Sequence, residues 1–473
     1  MTLTVDLAER LRAVVGPSHL LIDSDLIAPY ETDWTGRFIG TASCVVRPSD
    51  TEEVAAIARI CSEAGKTMTV QGGNTGLVGG AVPDTGAVLI SLTRLIGRDP
   101  VDPIEAQVTV GAGVTLEALQ RHAHAAGLHF GVDLAARSSA TVGGLVATNA
   151  GGMHVLRYGS MRQQVTGVEA VLADGTVLSR LSGLAKDNTG YDLPQLLTGS
   201  EGTLAIITRV RVRLVPQLPA RAVALVAVAG TDAALDLVST ARALPGLSAA
   251  ELFFPAGLDL VREHSRLSAP FPQPAGAYVL LECAGRTDPT DSLLVLLEQS
   301  DAVEDATLAS DAAGQAKLWA YRENHTEAIS ASGVPVKLDV SVPLRALPEL
   351  VARLDETVAE AAPKARVIVF GHVNEGNLHV NVLDADGLGT EVTVAVLTLV
   401  ARLGGSISSE HGIGRAKAAW LELSRSPAEI ATMRRLKDAL DPAGLLNPGV
   451  LFPSQSIKEV HAGNCPIPGR VLP

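Results

Sequence analysis

Apolar and polar positions alternate along this chain in two rhythms. Near the start, "CVVRPSD" is a short apolar run stopped by Pro48, and Thr51 to Gly65 has helical spacing, with acids at its head and a glycine after its end. "TMTVQGG", "AVLISL" and "QVTVGAG" read as further strands and "TLEALQRHAHAAGL" as a helix, which makes the opening region α+β or α/β. His122, His124 and His129 lie on or just after that helix and read as surface residues, since positions i and i+2 cannot share a helix face. Residues 131–214 are dense in Gly, Ser, Thr and Asn and close with "GTLAIITRVRVRLVPQLP", placing a boundary near Pro216 to Pro219. From about 221, strands such as "AVALVAVAG", "AYVLLECAG" and "VIVFGHV" alternate with helices such as "ALPELVARLDETVAEAA", the rhythm of a sheet covered by helices. A helix at 427–440 ends at Asp-Pro, and the tail beyond "DPAGLLNPGVLFP" reads as loosely ordered. The divisions are 1–216, 217–440 and 441–473.

Composition narrows the function. At 473 residues the chain exceeds one ordinary core, and 47% hydrophobic residues suit a packed globular protein. Lys and Arg number 38 against 51 Asp and Glu, with no basic block, so nucleic acid and anionic membranes are poor partners. Cys44, Cys61, Cys283 and Cys465 form no CxxC pair, arguing against a thiolate metal site and for reduced thiols in a cytoplasmic protein. The N-terminus lacks the layout of a signal peptide, and no 18 apolar residues run together.

Three stretches carry candidate chemistry. "VQGGNTGLVGG" holds five glycines (Gly72, Gly73, Gly76, Gly79, Gly80), a backbone free to aim N–H groups at a diphosphate, or else a plain surface loop. It matches neither the Rossmann nor the Walker pattern. "ATVGGLVATNAGGMHVLRYGS" and "TGSEGTLAII" repeat the style, as if an extended ligand were gripped from both sides. In "GHVNEGNLHVN", a turn at Asn374 to Asn377 sets Val373 opposite Leu378 and His372 opposite His379, within roughly 5 Å, near enough to share a metal ion or simply to decorate a hairpin. Arg322 and Thr326 stand four apart on one helix face, and strand alternation puts Lys337 on the side of Asp339.

With "DLAARSSATVGG", "VLADGTVL" and "KDNTGYDLPQLLTGSEGTLAIIT", these segments resemble the vanillyl-alcohol-oxidase-like FAD enzymes, closest to the D-2-hydroxy-acid dehydrogenases, over about residues 40 to 453. The resemblance implies an α+β architecture: a two-subdomain FAD-binding domain (1–216), an α/β substrate or cap domain (217–440) whose antiparallel sheet is covered by helices, and a C-terminal segment (441–473) returning to the first domain. FAD would lie between the subdomains with its diphosphate on Gly72 to Gly76. The implied flavin contacts are Gly72, Gly73, Asn74, Thr75, Gly76 and Gly80; Asp133, Ser139, Thr141, Gly143, Gly144, Thr148, Asn149, Gly152, Tyr158 and Gly159; and Glu201, Gly202 and Asn447. Asn74 and Thr75 stand where covalent relatives carry a histidine, so FAD would be held without a covalent bond.

The resemblance also assigns His372, His379 and Glu410 to a divalent metal, zinc by ligand type, with His411 of "SSEHGIGRAK" as the base. Arg322, Thr326, Lys337 and Asn381 would bind substrate. Asn374-Glu375 and Val450 depart from the family's usual Gly-Asp and Lys. The implied activity is oxidation of a D-2-hydroxy acid, D-2-hydroxyglutarate or D-malate before D-lactate or glycolate. The electron acceptor would be an electron-transfer flavoprotein, a quinone or a partner subunit, and the chain a possible homodimer. An electron-relay flavoprotein is the rival from another class; it needs neither metal nor base.

Overall fold

The computed structural model describes residues 3–453, so Cys465 and the expected loose tail lie outside the described residues. Runs of Val, Ile and Leu build three principal sheets. Leu20–Leu21, Ala42–Val46, Ala87–Ser91 and Met68–Gln71 form the first, parallel except for its first pair. The helix Thr51–Glu63 covers it, capped by the Asp50 carboxylate, which accepts the Glu53 N–H at 2.8 Å. The second sheet orders Gln107–Gly111, Ile206–Arg213, Val165–Val171 and Val177–Arg180, all antiparallel. These two sheets share one apolar core. The C-terminal segment comes back to them: Leu445 accepts the Met68 N–H at 2.7 Å, and Asn447 donates its own to the Met68 carbonyl at 2.9 Å.

Past Pro216 the chain enters a seven-stranded antiparallel sheet: Asp305–Ala309, Ala220–Val228, Ala277–Gly285, Leu247–Phe253, Arg366–His372, Asn377–Leu383 and Val336–Ser341. Alternation sorts its faces. Ala250, Leu252, Leu338, Val340, Leu378, Val380 and Val382 pack under Thr231–Ala241, Leu347–Ala361 and Gly389–Arg402. The opposite face carries Phe253, Ile368 and Phe370 and, in the same register, Glu251, Lys337, Asp339, His372, His379 and Asn381. A functional site therefore shares a sheet face with an aromatic core.

Two sequence expectations are corrected here. The hairpin pairs Phe370 with His379 and His372 with Asn377, a slide of two residues from the expected register. Asn377 is drawn into the ladder because its amide donates to Asp339 Oδ1 and the Val340 carbonyl, both at 2.9 Å. The turn is then Val373–Glu375 with Gly376 left-handed (φ 65°), where any side chain would strike the Val342 carbonyl. A slide of two keeps both histidines on one face, with ring centroids 5.4 Å apart. Arg322 and Thr326 do not share one helix: Ala312–Glu323 ends at Asn324 and a separate helix, His325–Ala331, begins, leaving Arg322 buried and Thr326 exposed.

At that break His325 is fully buried between Phe253 and Phe370. Burial, then the nearby Arg322 charge, hold its pKa down to about 3. The unfolded chain takes up this proton below about pH 6.5 and the folded chain does not, so stability falls as pH drops from there towards 3, by about 2 kcal/mol at pH 5. In His325→Phe the loss of stability between pH 7 and pH 5, read by urea unfolding, should shrink by about that amount; an unchanged difference would exclude His325 as the proton-refusing group.

Candidate active site at the domain seam

Three imidazoles surround one carboxylate oxygen. The Nε2 atoms of His372, His379 and His411 lie 3.8, 3.6 and 3.8 Å from Glu410 Oε1. Each is backed by a second carboxylate: His372 Nδ1–H donates to Glu251 Oε1 at 2.6 Å, while Asp339 stands 3.7 Å from His379 Nδ1 and 3.8 Å from His411 Nδ1. Neighbouring strands supply Glu251, Asp339, His372 and His379, and the loop after Gly389–Arg402 supplies Glu410 and His411. Asp339 shapes that loop, its Oδ2 accepting the N–H groups of Ser409, Glu410 and His411 at 3.0, 2.8 and 2.9 Å.

The cluster fits a divalent cation. Asp339, His379, Glu410 and His411 each offer a ligand atom within 4.8 Å of the others, and His372 joins through its Nε2. Burial alone would lower the His372 pKa, but Glu251 and then Glu410 outweigh it and lift the ring to about 10. Burial would likewise raise Glu410, yet His372 and His379 hold it near 2. His379 goes the other way, burial dominating and pulling it down to about 4. Neutral imidazole and ionised carboxylate are the forms a metal takes.

The cluster adjoins the glycine-rich segments. Gly152 N–H donates to Glu410 Oε2 at 3.1 Å, and Gly151 packs on the same carboxylate. Glu201, buried and left-handed, accepts Ile413 and Gly414 N–H at 2.9 and 2.7 Å, so its carboxylate latches the loop after Gly389–Arg402 to the N-terminal domain. Asn447 braces Glu201, donating to its carbonyl and accepting from Val70 N–H.

Much of the expected flavin cradle is internally built. Asn74 (φ 53°) donates to the Thr32 carbonyl. Asn149 accepts from Ser160 and Arg162. Thr148 donates to Gly144, and Asp133 pairs with Arg137 and Gln120. Side chains at Gly72 or Gly73 would collide with Thr141 and the Ser139 carbonyl, Gly143 lies on Ala112, and Tyr158 packs on Gly131. Gly159 and Gly202 take positive φ (79° and 69°). By contrast, Thr141 Oγ1 is buried without a hydrogen-bond partner and the space beside Gly76 is open, while Gly80 faces Glu201 Oε2 and Gly414 at 3.7 and 3.8 Å. An unmet hydroxyl beside side-chain-free backbone, near Thr75, suits a phosphate-bearing ligand.

On the substrate side, Arg322 is 8% exposed and its Nε and Nη2 both donate to Glu251 Oε2 at 2.7 Å, its guanidinium lying 4.5 Å from the Phe370 ring centre. Its charge is thus compensated within the protein, unlike the free cation expected. Lys337 pairs with Asn381 across the ladder, half-buried, two residues from Asp339 on the same face. Thr326 is exposed on its separate helix. Asn374, in the altered turn, is gripped by Arg242 through its side chain at 2.6 Å and its carbonyl at 3.2 Å. The structure offers no account of Val450, which is simply buried.

The FAD-linked-oxidase C-terminal domain matches residues 217–451 and an FAD-binding domain matches 42–180. The bovine mitochondrial D-2-hydroxyglutarate dehydrogenase is 41% identical over 463 residues, covering 95% of this chain and 84% of its own. The D-2-hydroxyglutarate dehydrogenase of Xanthomonas citri is 38% identical over 436 residues, covering 89% and 92%. The chain belongs to the FAD-linked oxidase family. A 4-ethylphenol oxidase from Gulosibacter chungangensis superposes with TM-score 0.72 at 19% identity, covering 95% of this chain and 98% of that one, and shares the vanillyl-alcohol-oxidase-type fold. An alkyldihydroxyacetonephosphate synthase does so at TM-score 0.73 and 17% identity, covering 94% and 86%.

Two residues given no site role from sequence hold the cluster, Asp339, read only as sharing a strand face with Lys337, and Glu251; the visible signal was a single acid inside an otherwise apolar strand, in "VKLDVS" and "SAAELFF". Asp339→Asn should weaken binding of Zn²⁺ about ten- to a hundred-fold while FAD stays bound, measured against a chromogenic chelator. Unchanged zinc affinity would sink the scaffold role given to Asp339.

Proposed function

We propose that the protein oxidises a D-2-hydroxy acid to the 2-oxo acid, using FAD held without a covalent bond and a divalent ion, zinc by its ligand type. The observation that carries this reading is the convergence of His372, His379, His411 and Glu410 against Gly151 and Gly152 of the flavin domain. When bound, the flavin supplies a two-electron acceptor and the ion a Lewis acid for an alcohol oxygen. The chain's own residues do the rest. His411, with 26% of its side chain exposed, is the most open of the three imidazoles and takes the hydroxyl proton, while Asp339 behind its Nδ1 steadies the resulting imidazolium. Lys337 and the remaining Nη1 of Arg322 receive the substrate's carboxylate, and Asn381, on the His379 side of its strand, orients it. Seam closure through Glu201 keeps water from the reacting face.

Electrons leave to an electron-transfer flavoprotein, a quinone or a partner subunit, in a cytoplasmic enzyme; these belong to the same proposal. A dicarboxylate such as D-2-hydroxyglutarate or D-malate is the preferred substrate. One observation favours a monocarboxylate such as D-lactate or glycolate instead: Glu251 neutralises Arg322, so the cation expected to hold a second carboxylate is already paired.

Anaerobic mixing of the yellow holoenzyme with D- and L-hydroxy acids tests the reaction. Bleaching by a D-2-hydroxy acid is expected, and bleaching by L-enantiomers alone would refute the stereochemistry. Removing the metal with a chelator should abolish turnover with FAD still bound; loss of the flavin at the same step would mark the metal as structural.

A further inference from the structure

We infer that a cavity at the domain hinge is a second binding site, which takes a small oxyanion, a phosphate or a carboxylate, between the N-terminal domain and the cap. The cavity measures about 140 Å³, roughly the volume that five waters fill in the liquid, and no member of the imidazole cluster lines it. His124, His129 and His154 come to it from the N-terminal domain, Arg221 and Glu282 from the cap sheet, and Gln217 to Pro219, where the chain passes between the two, line it as well. The helix Leu116–Ala125 and the short strand Leu128–His129 set His124 Nε2 against His129 Nδ1 at 3.1 Å with the rings stacked. That strand pairs with Val215–Pro216, which carries the linker to them. His124 is exposed, as its helix position suggested, but His129 is half-buried.

The lining selects an anion. Its one carboxylate, Glu282, is already engaged: Oε1 accepts the Ser248 hydroxyl at 2.8 Å and meets His154 Nε2 at 3.3 Å, and Oε2 accepts the Trp319 indole N–H at 3.0 Å. His124, His129 and Arg221 remain to face the space as donors. His154, 8% exposed, keeps its Nδ1 buried without a hydrogen-bond partner among the described residues, and an unpaired buried atom beside a polar cavity marks a missing partner. A cation is not the occupant: among the described residues, the one group of three or more acids and imidazoles spaced for a metal is that at Glu410. The groups acting on His129 are His124, His154, Arg221 and Asp133, with the Tyr158 ring centre 5.9 Å away. Burial, then the three cationic neighbours, hold its pKa down to about 4 against Asp133, which pairs with Arg137. The ring is thus neutral near pH 7, and an anion beside it favours the protonated form, so the complex binds more protons and affinity rises as pH falls. The walls run on into the active-site seam. His154 follows by two residues Gly152, whose N–H donates to Glu410, and Glu282 stands opposite Ala249, two residues before Glu251. A bound anion joins donors of both domains, His129 and Arg221, across the hinge.

The test is calorimetric titration of the holoenzyme with sulfate, a tetrahedral oxyanion that takes no proton near neutrality, and with acetate, at constant ionic strength in chloride. Binding is expected to tighten several-fold from pH 8 to pH 6. Tighter sulfate marks a phosphate-class ligand and tighter acetate a carboxylate. Arg221→Gln and His129→Gln should each weaken the anion about ten-fold with FAD still bound. An anion held on the metal cluster instead would ignore both substitutions, and a cavity that takes only water would give no binding heat. Either result, or an affinity that does not change with pH, overturns the assignment. The titration involves no turnover, so its failure is separate from failure of the D-2-hydroxy-acid reading.

Discussion

The site depends on one buried carboxylate. Asp339, 1% exposed, accepts three successive backbone N–H groups from Ser409 to His411 and one amide hydrogen from Asn377, and stands behind the Nδ1 atoms of His379 and His411. An isolated carboxylate in that position would be costly, and here each lone pair has a donor. Burial alone would raise its pKa, but His411, Lys417 and His379 outweigh burial and keep it ionised far below the usual range. One side chain thus fixes the hairpin register, the loop carrying two site residues, and the orientation of two imidazoles.

Glu251 performs the parallel task one step away. Its two oxygens divide their work, Oε1 to His372 and Oε2 to Arg322, so an imidazole of the candidate metal site and the guanidinium expected to meet substrate share one carboxylate. Removing Glu251 would leave a buried guanidinium over Phe370 and free His372 to rotate, two faults from one change. Glu201 does the same work between domains: its carboxylate is spent on Ile413 and Gly414, and its carbonyl on Asn447. The carboxylate of Glu201, implied by resemblance to meet the flavin, is thus already engaged by the loop at Ile413 and Gly414.

Local pattern made much of this legible. Period-two apolar runs give the cap strands, and face alternation alone puts Lys337 with Asp339 and Asn381 with His379. The hairpin register escaped because a polar four-residue turn can slide by two without changing which face its strands present; the choice was made by Asn377, through bonds to a strand 37 and 38 residues away. The break at Asn324 escaped because no Gly or Pro announces it. The seam latch of Glu201 to Gly414 spans 213 positions, a contact that periodicity cannot register. Asp339 and Glu251 were legible in principle, since a lone acid in a buried apolar strand must have a partner somewhere.

Charge counting around the imidazoles explains why such a site favours an anion. Asp339, Glu251 and Glu410 bring three negative charges; Arg322 and the buried Lys417, whose ammonium donates to the Asp339 carbonyl at 3.1 Å, bring two positive ones. The remaining single negative charge is balanced by the proton that Glu251 and Glu410 hold on His372. A divalent ion held there would displace that proton and turn the balance from neutral to one positive charge, which a 2-hydroxy acid's own carboxylate would cancel. Metal loading and substrate binding would be coupled through that count: acid conditions that restore the His372 proton would work against the ion and, through it, against an anionic substrate.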